Sequence, residues 1–380
     1  MNRVLLVTND FPPTVGGIQS YLRDFVGTLP PEHVVVFAST QDFEAARRYD
    51  ADASYKVIRW HRSLMVPTLA TMARLRRVIR DECIDTVWFG AAAPNALMAR
   101  AVRRAGATRV IASTHGHEVG WSMIPGAHLA LRLIGNSVDA ITYISNYTQG
   151  RIRPTIGGHP SYEQLPSGVD TFFFRPATEE QRAHTRARLD VGPDDPLIVC
   201  VSRLVPRKGQ DQLIRVIDRI RESIPGATLV LVGQGPYRRQ LEDLAGERLG
   251  GSVVMTGQVD RETMRDIVAA ADVFAMPTRT RGRGLDTEGL GIVYLEAQAC
   301  GVPVVAGDSG GAPETVTRES GVVVDGRNAD ELARELIELL ADEGRRKAMG
   351  AAGRAYTERA WTWEVMGARL RRVLGDEENV

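Results

Sequence analysis

Short apolar runs recur along the chain with helical patterning between them, and this alternation sets the expected architecture. Residues 3–8 form the first run, and a Pro/Gly stretch over residues 9–17 separates it from a segment in which Ile18, Tyr21, Leu22, Phe25 and Leu29 share one helical face. Residues 34–38, 57–60, 86–89, 109–114 and 140–144 follow as buried strands. Strand, helix, strand at this spacing predicts a parallel sheet covered on both faces, with ligands beyond the carboxyl ends of its strands. Gly16-Gly17 and His115 both fall at such ends.

A second series begins after Pro166-Ser167-Gly168-Val169-Asp170 and the polar stretch 175–196, which is expected to be a linker with a leading helix. Its strands are 197–201, 228–232, 253–256, 273–276, 302–306 and 321–324, again with helices between. A closing helical segment over residues 330–374 is interrupted near Trp361-Thr362-Trp363. The pattern predicts an α/β protein of two doubly wound domains facing one another across a cleft. Residues 1–168 make the first and 169–360 the second, and residues 361–380 cross back onto the first.

Composition changes this picture little. A chain of 380 residues, 43% hydrophobic and 25% charged, supplies two cores of ordinary size. No stretch approaches the roughly 18 apolar residues of a membrane span and no signal pattern opens the chain, so a cytoplasmic protein is expected. Cys83, Cys200 and Cys300 are widely spaced beside apolar residues, which suits reduced core thiols. Charge is more informative. Residues 1–165 hold 18 basic against 13 acidic residues and residues 166–380 hold 29 against 34, so a net +5 half is joined to a net −5 half. Only Lys56, Lys208 and Lys347 are lysine among the 47 basic residues.

The stretch with the most chemistry is Glu288-Gly-Leu-Gly-Ile-Val-Tyr-Leu-Glu296. Its glycines admit close backbone approach, and a helix starting near Gly289 aims free N–H groups and a positive dipole end outward as an anion site. Glu296 then falls about two turns along that helix, and the two carboxylates reach opposite ends of an elongated ligand. Arg203 and Lys208, in Ser202-Arg203-Leu204-Val205-Pro206-Arg207-Lys208-Gly209, follow a buried strand and suit a diphosphate, although a solvated basic loop reads the same way. Gly16-Gly17 can cradle a phosphate or simply turn the chain. Neither it nor Val232-Gly233-Gln234-Gly235-Pro236 has the dinucleotide glycine order. His115, in Ser113-Thr114-His115-Gly116-His117-Glu118, can position a reacting sugar, whereas His117 and Glu118 lack metal-ligand spacing.

Together with Ser309-Gly310-Gly311-Ala312-Pro313-Glu314, these motifs occur in the order of a known family. The chain resembles retaining glycosyltransferases of the GT-B fold, family 4, over nearly its whole length. Through Val7-Thr8-Asn9-Asp10-Phe11-Pro12-Pro13 and Gly16-Gly17-Ile18-Gln19-Ser20-Tyr21 it most resembles the GDP-mannose-dependent enzymes that add the second mannose to phosphatidylinositol mannosides. The resemblance implies that Arg203 and Lys208 hold the donor diphosphate, helped by Gly16, Gly17, Gly291 and Ile292. It assigns Glu296 to the ribose, Glu288 to the donor sugar, His115 to the sugar or leaving phosphate, and Gly233 and the backbone at Gly257-Gln258-Val259 to the nucleoside.

The resemblance further implies that the second domain holds the nucleotide sugar and the first binds a glycolipid acceptor, with no metal or other cofactor and no nucleic-acid partner. It places the enzyme peripherally on the inner face of the plasma membrane. Arg59, Arg62, Arg74, Arg76, Arg77 and Arg80, set among Met65, Leu69, Met72, Leu75 and Val78, form a basic amphipathic segment suited to an anionic leaflet, or an ordinary helix with a solvated face. Another nucleotide sugar, a soluble acceptor, or a sugar-nucleotide binding protein without catalysis are the alternatives. The oligomeric state is left open.

Overall fold

The computed structural model describes residues 3–376. The chain divides into two compact units, Met1–Gly168 with Trp363–Val380, and Val169–Thr362. The first is built on β1 (Val4–Thr8), β2 (Val34–Ala38), β3 (Lys56–Arg59), β4 (Thr86–Phe89), β5 (Arg109–Ser113), β6 (Ala140–Tyr143) and β7 (Ser161–Gln164). Its helices are α1 (Gly17–Val26), α2 (Phe43–Asp52), α3 (Leu69–Asp81), α4 (Ala99–Ala105), α5 (Glu118–Ser122), α6 (Pro125–Gly135) and α7 (Asn146–Ile156). The strands pair in parallel in the order β3-β2-β1-β4-β5-β6-β7. The central strands are buried at every position, as a sheet covered on both faces demands.

β7 has no apolar run to announce it. Its sequence Ser-Tyr-Glu-Gln alternates exposed and half-buried residues at the sheet edge, and its ladder to β6 defines it. The helix after β1 ends at Val26, three residues short of the expected Leu29, because Gly27 caps it and the chain tightens into a turn in which Thr28 and Leu29 donate to the Phe25 and Val26 carbonyls, with Leu29 still buried.

The second unit contains β8 (Leu197–Val201), β9 (Thr228–Val232), β10 (Val253–Gly257), β11 (Val273–Met276), β12 (Val304–Gly307) and β13 (Gly321–Val324). Its helices are α8 (Glu179–Arg188), α9 (Gln210–Ser223), α10 (Arg238–Ala245), α11 (Arg261–Ala269), α12 (Ile292–Ala299), α13 (Ala329–Ala341) and α14 (Glu343–Ala360). The order β10-β9-β8-β11-β12-β13 repeats the winding of the first unit. In each, strand order reverses once, between β1 and β4 and between β8 and β11, which creates a crevice beyond the carboxyl ends.

The final helix, α15 (Trp363–Leu374), belongs to the first unit. Trp363 meets the edge of the Phe25 ring at 5.1 Å, Arg371 donates to the Thr28 carbonyl at 3.2 Å, and the Val373 carbonyl accepts from Arg109 Nε at 2.7 Å. The closing helical segment therefore breaks twice: at Asp342, whose side chain caps α14, and at Trp361-Thr362. Residues 377–380 of the expected crossing segment lie outside the described residues. Cys200 and Cys300 are buried, and burial pushes both thiols up to about 12, which closes them to thiolate chemistry. Cys83 departs from expectation. It turns outward in a left-handed conformation after α3 and is exposed.

The sheet of the second unit is anchored by a buried arginine held on Asp272. Asp272, just before β11, accepts from Arg186 at 2.6 Å, Arg182 at 2.7 Å and the Leu197 amide at 2.8 Å. Arg186 is 1% exposed, and burial holds its guanidinium below its ordinary value against the pull of Asp272. Replacing Asp272 by Ala strands that guanidinium, so the variant is expected to lose about 3–5 kcal/mol. Denaturant unfolding of the purified chain checks this, and an Arg186→Met/Asp272→Leu pair should recover most of the loss.

Candidate active site

The connections leaving β8, β11 and β12 pack on one another, and each contributes to one cluster. The chain leaves β8 through Ser202-Arg203 and a 3-10 turn at Pro206–Lys208 before entering α9. Lys208 is carried inward, 8% exposed, and its Nζ lies 2.6 Å from Oε2 of Glu288, itself 7% exposed, in the connection after β11. That contact is electrostatic rather than an in-line hydrogen bond, and Oε2 makes no hydrogen bond within the protein. Arg207 Nε stands 3.9 Å from the same oxygen.

The Glu288 backbone is fixed from β12. Its amide donates to Ser309 Oγ at 3.2 Å and its carbonyl accepts from Gly311 at 3.0 Å. The Thr280 and Thr287 hydroxyls lie 3.0 and 3.3 Å from Ser309 Oγ. Gly310 has φ 59°, and a Cβ there would strike the Glu288 carbonyl, so the approach requires glycine.

Gly291 is the second position where glycine is required. It caps α12 in a left-handed conformation with φ 88°, and Ile292 is the first helical residue. Glu296 is therefore the fifth residue of α12, just over one turn along rather than two, because the two residues after Glu288-Gly289 remain in the loop. Tyr294 holds the helix start against β11 by donating to the Met276 carbonyl at 2.5 Å.

Glu296 is half-buried with no ion pair among the described residues, and burial pushes its carboxyl up to about 7, opposed by Arg261. Arg261 and Arg265, one turn apart on α11, lie 4.1 and 4.7 Å from the Phe173 ring centroid. Sequence reading missed this stack, and also Arg207, Asp286 and the Thr280–Thr287–Ser309 hydroxyls. Motif order could have found Arg207 and Ser309, which stand inside quoted motifs; nothing local marks Phe173.

Arg203, by contrast, is exposed and has no partner among the described residues. Gly233 donates to the Gly257 carbonyl at 2.8 Å, so the connections after β9 and β10 are joined, with Val259 half-buried just beyond. Thus Lys208, Glu288, Gly291 and Ile292 are brought together, with Arg203 and Gly233 at neighbouring strand ends.

His115, Gly16 and Gly17 belong to the other unit. His115 follows β5, and its Nε2 lies 2.6 Å from the Gly90 carbonyl, which sets a proton on Nε2 and leaves Nδ1 as an acceptor. The Tyr21 ring meets it edge-on at 4.9 Å. Burial lowers the His115 pKa, outweighing the nearby Glu118, so the ring is neutral at pH 7. Glu118 is fully buried and accepts from the His115 and Gly116 amides at 3.0 and 3.2 Å, so it braces this loop. Gly16 and Gly17 open α1, whose first turn has no side-chain cap, leaving N–H donors at the carboxyl end of β1.

Comparison with known proteins decides what this arrangement belongs to. Residues 181–356 match the family model for glycosyl transferases group 1, and residues 15–172 that for glycosyltransferase family 4. The GDP-mannose-dependent monoacylated alpha-(1-6)-phosphatidylinositol monomannoside mannosyltransferase of Corynebacterium glutamicum is 56% identical over 99% of this chain and 98% of its own. The GDP-mannose-dependent alpha-(1-6)-phosphatidylinositol monomannoside mannosyltransferase of Mycobacterium tuberculosis is 50% identical over 99% of both chains. The chain belongs to the family 4 glycosyltransferases. Its fold is GT-B: HepE of Anabaena in complex with UDP aligns with a TM-score of 0.80 at 20% identity, over 98% of this chain and 99% of that one.

Two features of this glycosyltransferase bear on the expected metal independence and basic segment. An Asp-x-Asp spacing, Asp50-Ala51-Asp52, stands at the end of α2, but Asp50 is held by Arg59 at 2.6 Å. Among the described residues no three His, Cys, Asp or Glu gather as a metal site. Arg59 is thereby removed from the basic amphipathic segment, since it also donates to the Pro12 carbonyl at 2.8 Å. Leu75 and Val78 face the core, because α3 is an ordinary covering helix on that side, and Met65 joins them from the connection before it.

The Glu296 carboxyl gives a pH test. Its folded pKa, about 7, lies above its ordinary 4.5. The unfolded chain therefore loses this proton first, stability falls as pH rises from 4.5 to 7, and the penalty is constant above that. Glu296→Gln removes it. Relative to the parent, the variant of the glycosyltransferase should gain about 2 kcal/mol at pH 8 and nothing at pH 4. Denaturant melts at the two pH values measure this, and equal differences at both would remove the buried-carboxylate assignment.

Proposed function

We propose that this glycosyltransferase moves mannose from GDP-mannose to a phosphatidylinositol monomannoside, giving the dimannoside with retention and without a metal. The observation that carries the reading is the buried Lys208–Glu288 contact at the start of α12, in a chain half or more identical to such mannosyltransferases along its length. Arg203 and Lys208 take the donor diphosphate with the N–H groups at Gly291 and Ile292. Glu288 meets the mannose, and Glu296 accepts from the ribose hydroxyls. Gly233 and Val259 border the nucleoside. Neutral His115 offers Nδ1 to a sugar hydroxyl, and the N–H groups at Gly16 and Gly17 add to anion binding.

The chemistry follows from where charge develops. As the glycosidic bond breaks, negative charge grows on the diphosphate, and fixed cations and N–H dipoles there lower the barrier. The acceptor hydroxyl attacks from the face the diphosphate leaves, and the departing phosphate takes its proton. Trapping of a covalent mannosyl-enzyme would sink this route.

The acceptor is a lipid, yet no helix of the described residues is long and apolar enough to cross a membrane. Contact with the cytoplasmic leaflet instead uses the exposed Leu64, Val66 and Leu69, beside Arg62, Arg74 and Arg77. Replacing the three arginines by Gln should weaken binding to anionic vesicles at low salt by roughly 100-fold, at about 1 kcal/mol per charge. Unchanged co-sedimentation removes this surface.

Transfer is tested directly by incubating the purified chain with labelled GDP-mannose and phosphatidylinositol monomannoside and weighing the product. Lys208→Ala removes a fixed cation from the charge that develops on the diphosphate, so transfer should drop about 100-fold or more. A thermal-shift comparison of GDP, UDP and ADP should favour GDP. Equal shifts would overturn the donor while sparing the fold.

A further inference from the structure

The loop between Arg279 and Glu288 carries more positive charge than its partners consume. Arg279 is occupied, donating to both Asp211 oxygens at 2.9 and 3.0 Å. Asp286 is shared: Arg207 lies 3.4 Å from one of its oxygens and Arg281 4.0 Å from the other. One carboxylate thus serves two guanidiniums. Arg283 has no partner at all among the described residues. It is exposed at the loop tip, next to Leu285, which is 60% exposed.

The loop is built to hold that tip. Arg281 and Asp286 close it by exchanging backbone hydrogen bonds, Arg281 donating at 2.8 Å and Asp286 at 3.2 Å. Three successive residues, Gly282, Arg283 and Gly284, have φ of 57°, 55° and 92°. Glycine adopts this conformation freely, whereas a side chain there is strained. An arginine sits in the middle regardless. The base of the loop is joined to the donor residues, through Arg207 to Asp286 and through the Thr280, Thr287 and Ser309 hydroxyls to the Glu288 amide.

We propose that Arg281 and Arg283 form an anion site for the phosphodiester of the acceptor, so that the second unit contributes to acceptor selection as well as to donor binding. This rests on the reading of the acceptor as a phosphatidylinositol mannoside. A guanidinium presents paired donors matched to two phosphate oxygens, and an unpaired one at a loop tip has no competing carboxylate to leave. The donor diphosphate already has Arg203 and Lys208, and the acceptor brings a further single negative charge. Arg283 and Arg281 are specificity-determining groups here, not members of the reacting set.

The test compares two acceptors with the full-length enzyme in the same detergent micelles. One is phosphatidylinositol monomannoside; the other carries the same mannosyl-inositol on a neutral alkyl ether. Arg281→Gln/Arg283→Gln should raise KM for the anionic acceptor roughly 10-fold, the scale of one lost charge-assisted contact. KM for the neutral acceptor and for GDP-mannose should not change. Arg283→Gly, which relieves the backbone, should lose preference for the anionic acceptor without losing thermal stability, and Arg283→Lys should keep part of it. Equal loss with both acceptors, a raised KM for GDP-mannose instead, or no change with either overturns the site. A parent enzyme that uses neither acceptor overturns the mannosyltransferase reading and this site with it, whereas the other failures leave that reading standing.

Discussion

The buried contact between Lys208 and Glu288 is the constraint on which the second unit's site depends. Both side chains are nearly closed to solvent, their charged atoms are 2.6 Å apart, and no hydrogen bond within the protein satisfies that carboxylate oxygen. Such a pair contributes little net stability, because desolvating two ions offsets most of their attraction. Apolar residues of similar volume would hold the loops together as well. What they could not do is keep a cation and a carboxylate in place beside the start of α12, whose first N–H groups are left open by Gly291. The arrangement suits a ligand that brings phosphates to the one and hydroxyls to the other.

Topology explains why these groups can meet although they are 80 positions apart in sequence. Each sheet is wound outward from a central pair, β1 with β4 and β8 with β11. The connections leaving those pairs at the carboxyl ends are the ones the winding leaves uncovered by a crossing helix. Lys208 leaves β8 and Glu288 leaves β11, while Gly90 and His115 stand beyond β4 and β5 in the other sheet. The same winding therefore yields two different sites. One gathers charge; the other gathers a neutral imidazole braced by the buried Glu118.

Much of this was legible in the chain because parallel strands buried on both faces write themselves as runs such as Val-Leu-Leu-Val-Thr, which no surface element resembles. β7 escaped for the opposite reason: as an edge strand it buries little, so its polar sequence obeys no pattern. Motif order marked Lys208 and Glu288, since glycines and a scarce lysine are visible in one dimension. The helix start was displaced because Gly289 and Gly291 look alike in sequence, and the left-handed φ of Gly291 is a product of its packing against Tyr294. Long-range partners were invisible. Arg59 resembled its basic neighbours until the fold set it against Asp50, and Cys83 resembled a core residue until the turn after α3 aimed it outward.

The two glutamates that bracket the α12 start differ by surroundings rather than by chemistry. Glu288 is enclosed by Lys208 and Arg207, so its charge is met from within the protein before any ligand arrives. At Glu296 burial pushes the carboxyl up to about 7, with Arg261 as the opposing cation. Hydroxyl donors brought by a ligand favour the charged form of such a group and would draw its pKa down. Occupancy would then release a proton at Glu296. On the proposed reading, a carboxylate already paired within the protein at the sugar end and a ligand-completed one at the nucleoside end is the division expected of a site that stabilises a transition state at one end and holds the donor at the other.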